Sequence, residues 1–134
     1  MDRSDSSPEV DTLEQTVPLL LVRDLPRSCD FYCRGLGFEI DRRWEPNGEL
    51  RWCWLQRNTA ALMLQQACPN DGLHAHTQNG VSLYFICRDA TAIYHELLSR
   101  EIEATPPRRA FYGMNQVFVT DPDGYVLCFE NLAS

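Results

Sequence analysis

The sequence predicts an α+β protein of two βαβββ modules forming curved, mostly antiparallel sheets around a cavity. Three observations predict it. An apolar run followed by Arg-Asp occurs twice, as "VPLLLVRD" (17–24) and "SLYFICRD" (82–89), each ahead of a helix-like stretch. The same offset of 65 lays "NTAALMLQQ" (58–66) over "DGYVLCFEN" (123–131), each a turn followed by a short apolar run. With 134 residues, the chain has the length of one domain or of two small halves sharing a core.

In chain order, residues 1–15 read as a polar, acidic leader with no apolar segment of a secretory signal. The domain occupies 16–134: a first module over about 16–67, a connector over 68–80 and a second module over about 81–131. After the first strand, Asp24 is the expected N-cap and Pro26 falls in the first helical turn. Leu25, Cys29, Tyr32 and Cys33 then share one face, and Gly35 or Gly37 ends the helix. "FEIDRRWEP" and "ELRWCWLQ", joined by Pro46-Asn47-Gly48, predict a hairpin. In the second module Asp89 caps a helix whose buried stripe is Ala92, Ile93 and Leu97. There "IEAT" and "NQVFVTD" predict a second hairpin across the loop "PPRRAFYGM", and Asp121-Pro122-Asp123-Gly124 is a tight turn before the last strand.

Period-two alternation assigns Leu20, Val22, Leu62, Leu64, Leu83, Phe85, Leu127 and Phe129 to the helix side of the sheets. The opposite face carries Val17, Leu19, Leu21, Met63, Gln65, Ser82, Tyr84, Ile86, Val126, Cys128 and Glu130. That mixed set either lines a ligand cavity or is covered by another sheet or subunit.

Bulk composition narrows the function classes. The net charge is −7 and all 12 basic residues are arginine, a balance that disfavours nucleic acid and anionic lipid as partners. No apolar run reaches the roughly 20 residues of a membrane span. Six cysteines lie mostly inside apolar runs and form no CxxC pair, which reads as reduced thiols in a cytoplasmic protein.

"LLLVRDLPRSCDFYCRGLGFEI" and "YGMNQVFVTDPDGYVLCFE" strongly resemble the vicinal oxygen chelate superfamily, which holds glyoxalases, bleomycin-resistance proteins and extradiol dioxygenases. The likeness covers about residues 16–131. It implies the fold, and for the family's enzymes a divalent metal gripped by His or Glu on the first and last strands of each half. The resemblance carries those ligand positions to Val17, Ser82, Met63 (or Gln65, if the register slips by two) and Cys128. None is a histidine or a carboxylate. The resemblance therefore implies the bleomycin-resistance-like branch: a homodimer that sequesters a small molecule with no cofactor and no catalytic residue.

The expected ligand cavity comprises Val17, Leu19, Trp52, Trp54, Met63, Gln65, Ser82, Tyr84, Phe111, Tyr112, Gln116, Cys128 and Glu130. Its tryptophans, with Trp44, Phe111 and Tyr112, either stack on a planar or cationic ligand or pack a core or dimer interface. Arg108 and Arg109 stand on a lid-like loop, as side chains for an anionic ligand or as solvated charges. Cys128 reads as a small buried hydrophobe, with no His or Lys near it in sequence to activate it. His74-Ala75-His76 has a metal-clasping spacing inside a Gly/Asn-rich connector, while His95 is an exposed helix residue. The first alternative is a metal-dependent lyase, dioxygenase or thiol transferase that draws on His74, His76, Gln65 or Glu130. The second is a non-catalytic regulatory or assembly module with a filled cavity.

Overall fold

A computed structural model describes residues 12–68 and 80–133. The first module runs β1 (Leu19–Val22), α1 (Leu25–Asp30), β2 (Glu39–Trp44), β3 (Trp52–Arg57) and β4 (Ala60–Gln66). The second runs β5 (Ser82–Ile86), α2 (Ala90–Ser99), β6 (Arg108–Arg109), β7 (Met114–Thr120) and β8 (Val126–Leu132). Each module forms a four-stranded sheet, ordered β1-β4-β3-β2 and β5-β8-β7-β6. In both, the first strand pairs parallel with the last and the other pairings are antiparallel. The repeat holds in register: Leu19 lies opposite Met63, and Tyr84 and Cys128, each 65 residues on, lie opposite one another.

Both helices start as the Arg-Asp repeat dictates. The Asp24 carboxylate accepts from the Arg27 N–H and the Asp89 carboxylate from the Ala92 N–H, each at 3.2 Å. An amide from the last strand adds a second cap: Leu25 N–H donates to Gln66 Oε1 at 2.9 Å, and Ala90 N–H to Asn131 Oδ1 at 2.7 Å. Four donors that a helix start leaves unpaired thus find side-chain acceptors. The first helix continues into a π-helical turn, Phe31–Gly35, and Gly37 with φ +79° turns the chain into β2.

Asn47 and Gly48, both at positive φ, close the expected β2–β3 hairpin. The second hairpin departs from expectation. "IEAT" is not a strand; the partner of β7 is the two-residue β6, where Arg108 faces Gln116 and Arg109 faces Asn115. Pro106 and Pro107 have no N–H to donate, so the ladder cannot extend back through them. Thr105 instead bonds Phe118 through its own N–H and through its hydroxyl, which accepts from the Phe118 N–H. On α2, Ala92 is exposed, and Ala90 and Leu97 are the buried positions, with Ile93 and Tyr94 packed beside them. Ala92 belongs to the capping turn, which the Asp89 side chain holds at the surface.

The alternation is correct on the helix side. Leu20, Val22, Leu62, Leu64, Leu127 and Phe129 are buried, Leu83 and Phe85 pack against them, and Tyr32 and Phe38 join the two modules into one core. The Phe85 ring stacks on Phe129 at 5.3 Å and meets Phe38 at 5.8 Å. Both sheets therefore turn their core faces toward a shared interior, and their other faces point outward.

The Asp121-Pro122-Asp123-Gly124 turn does more than reverse the chain. Asp121 Oδ1 accepts from the Asp123 and Tyr125 N–H groups, both at 2.9 Å, and Oδ2 accepts from the Tyr32 hydroxyl of the other module at 2.8 Å. Asp123 accepts from the Arg23 N–H at 3.1 Å and from Ser28 Oγ at 3.3 Å. The Tyr125 hydroxyl donates to the Leu21 carbonyl at 3.0 Å. Both carboxylates are buried. Burial raises the Asp121 carboxyl above the usual range despite its donors, and burial beside that carboxylate pushes the Tyr32 hydroxyl well up.

Removing the donor with Tyr32→Phe is expected to cost about 1–2 kcal/mol, and Asp121→Ala, which strands several buried donors, about 2–4 kcal/mol, both read from urea unfolding. A folded pKa above the unfolded one means Asp121 contributes stability that is full below the unfolded carboxylate range and is lost as pH rises through the folded value. The stability difference between the wild type and Asp121→Asn should therefore be larger at pH 3.5 than at pH 7.

Candidate functional site

The two outward faces differ in chemistry. On the first sheet, the register aligns Leu19, Met63, Trp54 and Arg42 in one cross-strand row and Leu21, Gln65, Trp52 and Trp44 in the next. The Arg42 guanidinium lies over the Trp54 ring, 5.6 Å from its centroid, and Trp54 Nε1–H donates to Gln56 Oε1 at 2.7 Å. Trp44 is 58% exposed and Leu19 45%. This is an open shelf of three indoles, a cation and a thioether, suited to stacking and to dispersion contact.

On the second sheet, Tyr84, Cys128 and Phe118 form one row and Ile86, Glu130 and Gln116 the next. Tyr84 and Phe118 stand on the two strands that flank Cys128, and their rings meet edge to face at 6.5 Å. The rings roof the cysteine, which is fully buried although it points away from the core. A small side chain is what allows them to meet. Burial first, then the neighbouring Glu130, pushes the Cys128 thiol up to about 12. Beyond it, Glu130 Oε1 accepts from Gln116 Nε2 at 2.9 Å and from the Tyr112 hydroxyl at 3.3 Å. Gln116 Nε2 also donates to the Tyr112 oxygen at 2.6 Å, which closes a three-residue network.

The thirteen cavity residues expected from sequence thus divide between separate surfaces. Leu19, Trp52, Trp54, Met63 and Gln65 share the first shelf; Tyr84, Gln116, Cys128 and Glu130 share the second face, with Tyr112 bonded to it and Ser82 at its edge. Val17 precedes β1 and is half-buried, and Phe111 is 99% exposed. A groove of about 420 Å³ between the modules is lined by Ser82 and Tyr84 together with Pro18, Thr59 and Ala60, and includes neither Met63 nor Cys128. Arg42 and Phe118 were missed by sequence reading. A cross-strand row is visible only once the register, including the bulge between Ile40 and Arg42, is known.

The donors at the inferred ligand positions do not fit a hard divalent ion. Val17 has no lone pair, Met63 is a soft thioether, Ser82 is a neutral hydroxyl, and Cys128 is a roofed, protonated thiol. Glu130, the nearby carboxylate, already serves Gln116 and Tyr112. Among the described residues no three His, Cys, Asp or Glu side chains are grouped to hold a metal. His74 and His76 lie outside the described residues; His95 is exposed on α2. None of the six cysteines is joined in a disulfide, and among the described residues no helix is long and apolar enough to cross a membrane.

Two βαβββ modules around a common core, each with one sheet face turned outward, define the fold class. The chain belongs to the Glyoxalase/Bleomycin resistance protein/Dioxygenase superfamily, whose family model matches residues 12–129. Among solved structures, it is similar to a bleomycin-binding protein complexed with bleomycin: 25% identity, TM-score 0.71, covering 89% of this chain and 98% of that one. A bleomycin resistance determinant encoded on the transposon Tn5 gives 25% identity and TM-score 0.67, covering 90% and 98%. A glyoxalase/bleomycin resistance protein/dioxygenase from Nocardioides gives TM-score 0.70 at 19% identity, covering 93% and 88%, a likeness of fold alone. Among curated proteins, none matches this sequence.

With its thiol held to about 12, Cys128 is about 1 part in 10⁴ thiolate at pH 8. Iodoacetamide at that pH is expected to label exposed Cys68 while Cys128 stays unmodified until the protein is unfolded, as read by peptide mass spectrometry.

Proposed function

We propose that this protein binds a planar small molecule on its outward sheet faces and sequesters it without metal and without chemical change. The observation that carries the proposal is the shelf of Trp44, Trp52 and Trp54 with Arg42 over one indole. Three indoles on a solvent-facing sheet leave apolar area in water unless something covers it, and they contribute nothing to the core. Metal independence is supported by the donor set, which offers no charged ligand at the inferred positions. The bound bleomycin of one structural relative supports an antibiotic-like ligand. Exposed Leu19, Tyr84, Ile86 and Leu132 support a homodimer in which a second copy covers part of both faces, and six cysteines outside any disulfide support a cytoplasmic setting.

Titration with bleomycin, followed by tryptophan fluorescence, is expected to quench the shelf and to saturate. Trp54→Ala should weaken binding at least tenfold, about 1.4 kcal/mol, and EDTA should leave it unchanged. Loss of binding on chelation, or one equivalent of metal in protein purified without chelators, overturns the metal-independent reading. Light scattering is expected to give twice the 15.4 kDa chain mass, with Ile86→Glu shifting the population toward monomer.

A further inference from the structure

The two modules meet along a seam that the repeat builds twice, and one copy of it is open. In the closed copy, the β7–β8 turn reaches the edge of β1. The Tyr125 hydroxyl donates to the Leu21 carbonyl, and the Asp123 carboxylate accepts from the Arg23 N–H and lies 3.5 Å from its guanidinium. Tyr125 and Asp123 are both buried there.

The offset of 65 carries Leu21 to Ile86, Arg23 to Arg88, Ser28 to Ile93 and Tyr125 to Ala60. The same offset relates the strand registers and both helix caps, so these are structural counterparts. Here the β3–β4 turn is only Asn58-Thr59 between paired Arg57 and Ala60, and it brings neither a phenol nor a carboxylate. What remains is a groove of about 850 Å³, lined among others by Ala60, Phe85, Ile86, Arg88 and Ile93. That is ample for a small aromatic molecule.

The counterpart of each anchoring group is present. Val22 gives its carbonyl to Ala67 of the chain leaving β4, so by alternation the Leu21 carbonyl points away from β4, toward Tyr125. Ile86, at the equivalent place on edge strand β5, points its carbonyl away from β8 in the same way. Among the described residues Arg88 makes no hydrogen bond or ion pair, whereas Arg23 meets Asp123. Asp89, also in the wall, is bound to its helix N-terminus, as Asp24 is beside the occupied Arg23–Asp123 pair. Arg57 is committed to Glu96 and to the Leu36 carbonyl.

We infer that this groove is a binding site for a small phenol-bearing carboxylate, which supplies the hydroxyl and the anion that Tyr125 and Asp123 supply in the closed copy. Its hydroxyl donates to the Ile86 carbonyl and its carboxylate accepts from the Arg88 N–H and guanidinium. The ring rests against Ile93 and Phe85. The site is separate from the tryptophan shelf.

4-Hydroxyphenylacetate is the probe, followed by amide chemical shifts of the full chain. Expected are saturable shifts at residues 58–60 and 86–93, with Kd about 10⁻⁴ M. Tyramine, which replaces the carboxylate with an ammonium, is expected not to bind. Arg88→Gln, a change at an exposed side chain, should weaken binding about tenfold, and Ala60→Tyr, which rebuilds the missing phenol, should abolish it. Trp54→Ala should leave this affinity unchanged, so loss of bleomycin binding and loss of this site are told apart. No saturation below about 10 mM, or an affinity that Arg88→Gln leaves unaltered, overturns the inference whether or not Ala60→Tyr folds.

Discussion

The rest of the molecule depends on two buried carboxylates in a five-residue turn. Asp121 and Asp123 leave water to accept hydrogen bonds from the backbone of their own turn and from Tyr32, Ser28 and Arg23 of the other module. A buried carboxylate without donors costs several kcal/mol, so the turn is tenable only when α1 and the end of β1 sit against it. That condition fixes how the modules dock. The docking in turn fixes which sheet faces are interior and which point outward.

The seam is built from one repeat but no longer from one chemistry. Asp121 holds Tyr32 on one side of the seam, while on the other Arg57 holds Glu96 at 3.0 Å, a contact of opposite polarity. Glu96 also pairs with Arg100, so the second contact is a partly exposed charge cluster and the first a buried hydrogen-bonded one. Buried and satisfied, the first sets geometry; the second tolerates a shorter turn and the open groove beside it.

The outward faces have diverged as well. Cys128 and Met63 occupy equivalent positions, yet Cys128 lies beneath the Tyr84 and Phe118 rings, and Met63 is half-buried between Leu19 and Trp54. The second face has closed over itself with aromatic rings and a Tyr112–Gln116–Glu130 network; the first has kept its indoles available. This asymmetry places stacking chemistry on one shelf and polar chemistry on the other. Superfamily membership fixes the architecture and leaves the chemistry of the faces to the particular side chains.

Sequence alone determined the two-module architecture, both helix starts and the inward set of side chains. These follow from local rules: an aspartate one residue before a helix, a period of two along a strand, and an offset repeated along the chain. Residue identity also shows that Val17, Met63, Ser82 and Cys128, the positions to which the resemblance carries the family's ligands, include no histidine and no carboxylate. Tertiary structure decided the rest. The break at Pro106-Pro107, the bulge that puts Arg42 over Trp54, the roof over Cys128 and the partners of Asp121 and Asp123 all depend on distances between residues far apart in the chain. It likewise placed the residues expected at the cavity on different surfaces of the one chain, since only packed modules reveal which surfaces of the two repeated halves turn toward each other.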